Sequence, residues 1–107
     1  MYYHGTSLKN IYKIFNDKEI VTEYFGEKGC FVSKDIAHAG CHGPWIVCIS
    51  DANVDASLLS EDGINDGLYH KGALSVANGF SVETSNYDFY KQTIFDDLIY
   101  LLEKDNE

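Results

Sequence analysis

The sequence predicts a single α+β domain, and three observations carry that prediction. Short strand-like runs alternate with stretches of helical periodicity, Asn78-Gly79 offers a tight turn where a parallel sheet would need a long crossover, and 107 residues with 45% apolar content suffice for one core. Tyr2-Tyr3-His4 is expected as a strand ending at Gly5. Thr6-Ser7 supplies hydroxyl caps for a helix in which Leu8, Ile11, Tyr12 and Phe15 form one stripe, stopping near Asn16-Asp17. Ile20 to Tyr24 is expected as a short strand, Gly26 and Gly29 bracket a loop, and Cys30 to Ser33 is a second short strand.

Asp35 to Cys41 has room for one or two helical turns, which Gly40 and Gly43-Pro44 end. Trp45 to Ile49 is the longest unbroken apolar run, with the β-branching of a buried strand. Asp51 to Gly67, rich in Asp, Asn, Ser and Gly, reads as an acidic surface excursion. Ala73 to Val76 and Phe80 to Glu83 are expected to form a hairpin about Asn78-Gly79. Ser85 precedes Asp88 at capping-box spacing, and Tyr90, Ile94, Asp97, Leu98 and Leu101 predict an amphipathic helix running to about Lys104.

Composition excludes several classes of function. Seventeen acidic against eight basic residues give a net charge of −9, which repels phosphate backbones and anionic lipid, so duplex nucleic acid is not an expected partner. Five residues of apolar run fall far short of the ~20 a membrane span needs. Three cysteines are too few for a disulfide framework, and Met1-Tyr2-Tyr3-His4 carries no basic n-region; together they point to a reducing, cytoplasmic setting.

Candidate chemistry is spread over three stretches. Tyr3-His4-Gly5-Thr6 places an imidazole beside the residue that lets a planar ligand approach the backbone. Lys28-Gly29-Cys30-Phe31-Val32-Ser33 adds an aromatic ring and a hydroxyl, and Phe80-Ser81-Val82-Glu83 adds a carboxylate on a strand. Each has an ordinary structural explanation by itself: a satisfied histidine, a core phenylalanine, a solvent-facing glutamate.

In this order, over Tyr3 to about Asn86, the stretches resemble the catalytic domain of the diphtheria-toxin and poly(ADP-ribose)-polymerase type of ADP-ribosyltransferase. The resemblance implies two small antiparallel sheets packed against each other, with NAD in the cleft between them, a helix in the N-terminal half and a C-terminal amphipathic helix. It implies that His4 bonds the ribose hydroxyls and that Gly5 holds the nicotinamide amide. Phe31 stands where the family has its first stacking tyrosine, keeping a π face without the phenol. The second tyrosine's place is taken by Cys41, followed by His42. Glu83 falls at the catalytic glutamate, and Thr6 and Ser33 supply polar contacts.

The implied reaction transfers ADP-ribose from NAD to an acceptor, a protein by preference given the net charge, and releases nicotinamide. Its physical demand is simple: the bond to cationic nicotinamide is already activated, so rigid holding and one negative charge near the sugar suffice. A glutamate in that role is worth about 3–4 kcal/mol, or two to three decades in rate. The alternative is an acidic inhibitor or decoy of the same fold that binds a partner without turnover; His4 and Glu83 facing one cleft would discriminate the two.

Three other readings rank lower. Cys30, His38, Cys41 and His42 carry zinc's preferred donor types, but only one close pair has ligand spacing, and no metal is assigned. Gly26-x-x-Gly29 lacks the strand-to-helix setting of a dinucleotide fingerprint. A later carboxylate register near Lys91 to Asp96 holds no glutamate and repeats at helical spacing.

Overall fold

The computed structural model describes residues 1–61 and 67–105, and its architecture is α+β with antiparallel sheets. Strand β1 (Tyr2–Thr6) runs into helix α1 (Leu8–Asp17), followed by β2 (Glu19–Ile20), β3 (Thr22–Tyr24) and β4 (Glu27–Ser33). A short helix α2 (Ile36–Gly40) precedes β5 (Trp45–Ile49). Then come β6 (Leu59–Glu61), β7 (Gly67–Lys71), β8 (Leu74–Ser75), β9 (Ser81–Thr84) and the C-terminal helix α3 (Lys91–Asp105).

Local chemistry explains the helix boundaries. The Ser7 hydroxyl accepts from the Asn10 amide at the start of α1, and Lys18 ends the helix in the left-handed region at φ 59°, its N–H returning to the Ile14 carbonyl. Asp35 caps α2 by accepting from the Ala37 N–H at 3.0 Å. The Ser85 to Asp88 capping box does not form. Ser85 is buried, its hydroxyl donates to the Gly40 carbonyl at 2.7 Å and accepts from the Tyr87 N–H, and a 3-10 turn over Asp88–Tyr90 leads into α3.

The main sheet has the order β6-β7-β4-β1-β5-β9, with β3 also pairing β4. Strand β1 pairs with β5 along its whole length, from Tyr2 opposite Ile49 to Thr6 opposite Trp45. On its other side β1 meets β4 at Tyr3 opposite Ser33 and then diverges. β7 takes one edge of β4 from Gly29 to Ser33, so β3, which pairs Glu27 to Gly29, lies on the edge that faces β1. Between β3 and the Tyr3–Ser33 bridge the sheet is therefore split. Two sheets packed face to face were expected; here the two halves are continuous through that bridge, and a separate two-stranded sheet pairs β2 with β8.

Three expectations give way. The hairpin across Asn78-Gly79 does not form, because β8 pairs with β2, burying Ile20 and Leu74 together, while β9 pairs with β5. Gly79 does take positive φ, +104°, in a turn whose N–H bonds the Val76 carbonyl. The acidic stretch expected as an excursion from Asp51 to Gly67 holds, over its described part 51–61, two 3-10 turns and then β6, paired to β7, while 62–66 lie outside the described residues. Ile20 to Tyr24, expected as one strand, is divided between the two sheets.

Each face of the main sheet has a cover. Alternation places Tyr2, Val47 and Ile49 with Cys30 and Val32 in the larger core, closed by Ile14 of α1 and by Ile20, Leu74 and Val76. The other face carries Ile46, Cys48 and Tyr3 against Ala39 of α2. Fully burying residues such as Ile46 or Ile49 contributes about 1.5–3 kcal/mol each. Helix α3 buries none of its residues; Ile94, Asp97 and Leu101 are half-buried, and the Trp45 indole N–H is donated to Asp97. Among the described residues no helix is long and apolar enough to cross a membrane.

Candidate functional site

The split in the sheet opens a cleft of ≈ 630 Å³ at the C-terminal end of β1, within the usual range for small-molecule sites. Its wall takes His4, Gly5 and Thr6 from β1, Phe31 and Ser33 from β4, and His38 and His42 from α2 and the turn after it. Asn10 of α1 and Thr22 of β3 border it. Among the described residues the lining has no Asp, Glu, Lys or Arg.

His4 is the hinge of this arrangement. Its Nδ1–H donates to the Phe31 carbonyl at 2.7 Å, on the edge of β4 that has lost its strand partner, so a side chain replaces a missing ladder bond. A carbonyl can only accept, which fixes the proton on Nδ1 and leaves Nε2 of the neutral ring as the acceptor available to the cleft. Burial pulls the imidazole below its ordinary pKa of 6.5; the Phe31 carbonyl opposes that shift and the nearby His42 adds to it.

Gly5 is explained by packing. A Cβ there would lie 1.9 Å from the Ala39 carbonyl oxygen, so the bare Cα is what lets α2 sit against β1. The Thr6 hydroxyl accepts from the Asn10 side-chain amide at 3.0 Å, and the buried Ser33 hydroxyl accepts from the Asp35 N–H at 3.0 Å. Phe31 is half-buried, with its ring centroid 5.1 Å from that of Tyr69 on β7.

Two expected site residues stand elsewhere. Glu83 is opposite Ile46 on β9, and Ile46 is opposite Gly5, so its side chain shares the α2 face with Tyr3 and Cys48, whereas His4 shares the other face with Val47 and Val82. Glu83 is solvent-exposed and does not line the cleft. Cys41 is half-buried beside the cleft wall, its thiol donating to the His38 carbonyl at 2.9 Å. The structure thus brings together His4, Gly5, Thr6, Phe31 and Ser33 and leaves Glu83 apart.

The sequence reasoning missed Asn10 and Thr22. For Asn10 a signal existed: it follows Thr6 by four, the spacing at which a strand-end hydroxyl reaches the first turn of the next helix. Thr22 had none, because its place depends on β3 folding back along β4.

Compared with family models, curated proteins and solved structures, the chain matches none.

Proposed function

We propose that the cleft binds NAD, with nicotinamide against Phe31 and the adjoining ribose over His4, and that the chain acts by binding rather than by a Glu83-dependent transfer. The lining supports this reading through its chemistry. It offers the rings of Tyr3 and Phe31, the imidazoles of His4, His38 and His42, and the hydroxyls of Ser7 and Thr22, a set of groups suited to a flat heterocycle joined to a sugar. The observation that carries it is the parting of the expected constellation: five of its members border one cleft, while Glu83, out on strand β9, is solvent-exposed and does not line it. A cation developing on the ribose would find no carboxylate among the described lining residues, so the electrostatic help that ADP-ribose transfer needs is missing from the wall. An acidic protein that holds a nucleotide and meets a partner fits this better than a transferase using Glu83 does.

Titration with NAD followed by calorimetry tests binding. Loss of the Phe31 ring in Phe31→Ala should weaken affinity by about 1–3 kcal/mol, roughly 5- to 150-fold, as stacking on an aromatic does elsewhere. Glu83→Gln should leave affinity unchanged. Incubation of wild type and Glu83→Gln with labelled NAD and cell lysate tests turnover: equal absence of labelling is the expected result. An acceptor labelled by wild type alone would restore the transferase reading with Glu83 at its centre.

A further inference from the structure

We propose that His38, Cys41 and His42 form a binding site for one zinc-class divalent ion, with the remaining coordination position turned toward the cleft. Their donor atoms all lie within 4.8 Å of one another at the C-terminal end of α2, where residues i, i+3 and i+4 fall on one side of the helical turn. His38 Nε2 and His42 Nε2 are 3.4 Å apart with the rings inclined at 73°. That distance is the edge of a tetrahedron built on Zn–N bonds of about 2.0–2.1 Å, which is about 3.3–3.4 Å. The two imidazoles already stand at the spacing a tetrahedral ion requires.

Cys41 completes the set with one local change. Its thiol now donates to the His38 carbonyl, and rotation about the Cα–Cβ bond releases that contact and brings Sγ toward the histidines. On binding, the S–H proton passes to solvent and the sulfur becomes the thiolate ligand, so the ion replaces one proton and gains three protein donors. Cys30, the other sulfur in the neighbourhood, is not a ligand: it is buried on β4, 3.8 Å from His4 Nδ1, on the far side of the cleft wall from the trio.

Three protein ligands leave one position open, as in catalytic rather than structural zinc sites. His38 and His42 both line the cleft, so that position faces its interior. The ion would bring the positive charge that the wall otherwise lacks, since no Lys or Arg lines it among the described residues. A bound ligand's phosphate or hydroxyl oxygen is the natural fourth donor.

Cobalt(II) alone, added to the purified full chain in the absence of NAD, tests the site independently of dinucleotide binding. The expected result is one ion per chain, intense visible d–d absorption of tetrahedral cobalt, and a near-ultraviolet thiolate-to-cobalt band. Cys41→Ser should abolish the near-ultraviolet band, and His42→Ala should lower affinity at least tenfold. Both positions are accessible enough to change without unfolding the chain, which far-ultraviolet circular dichroism checks. Weak binding with octahedral spectra, or spectra unaltered by Cys41→Ser and His42→Ala, would overturn the proposal.

Discussion

At the scale of single residues, small side chains do much of the positioning. Gly5 is required by the approach of α2, because a methyl group there would press on the Ala39 carbonyl, which is backbone and cannot rotate away. Gly5→Ala should therefore destabilise the fold by about 1–3 kcal/mol, read as a lower urea midpoint at unchanged slope. Full stability in that variant would mean α2 is free to slide. The cysteines differ in the same concrete way. Burial pushes the Cys30 thiol up to about 12, and burial also raises Cys48, whereas Cys41 is half-buried at the end of α2. With chelator present, iodoacetamide at pH 8 should label Cys41 first, as peptide mass mapping would reveal; labelling of Cys30 at a comparable rate would contradict the burial seen here.

At the scale of elements, the helix that hangs on fewest contacts is α3. It buries no residue, exposes Phe95, Leu98, Tyr100 and Leu102, and is tethered by the Trp45 indole bonded to Asp97 and by Lys104 lying over the Tyr12 ring at 4.5 Å. Asp97→Ala leaves the indole N–H without its carboxylate and should cost about 1–3 kcal/mol. Trp45 is the sole tryptophan, so its emission should shift to the red as the helix loosens, and amides of α3 should exchange faster than those of β5. An unshifted emission would mean that other contacts hold α3. How far these elements were legible beforehand follows from what each depends on. α1 and β5 depend on local signals, a capped apolar stripe and a continuous apolar run, and both appear where those signals lie. β7 had no such signal: Leu68-Tyr69-His70 between glycines neither alternates nor runs apolar, and it becomes a strand only because β4 and β6 flank it. The expected hairpin failed for the converse reason, since Asn78-Gly79 provides a turn but burial of Ile20 and Leu74 decides the pairing. The cleft followed the same rule. His4, Phe31 and Ser33 lie on segments the sequence already marks as strands, while the face of Glu83 depends on the register of β9 against β5, and a one-residue slip reverses it.

At the scale of the whole molecule, the Tyr3–Ser33 bridge and the side-chain bond from His4 to the Phe31 carbonyl help hold the sheet across its split. Burial of that imidazole, which outweighs the opposing pull of the Phe31 carbonyl, couples stability to pH with a definite sign. The folded state lowers the His4 pKa below 6.5, mainly by burial, so below pH 6.5 the unfolded chain binds more protons than the folded one. Above pH 6.5 both states hold a neutral ring and the coupling vanishes. As pH falls through 6.5 toward the depressed folded pKa, stability declines, by at most about 1.4 kcal/mol per pH unit for one proton. The carboxylates held low act in a different window. Asp51, bonded to the N-terminus and Lys34, Asp55, bonded to Ser57, and Asp88, bonded to Lys91, all titrate below 3.8 in the fold, so the stability they contribute is intact at pH 5.5. Urea denaturation at pH 7.5 and 5.5, with EDTA to keep the three other ring-and-sulfur donors metal-free, should give a lower midpoint at pH 5.5 for wild type. In His4→Gln the amide can still donate to the Phe31 carbonyl but takes up no proton, so the difference between the two pH values should shrink. An equal pH-dependent drop in both proteins would remove His4 as its source, and with it the claim that this imidazole is held neutral across the split in the sheet.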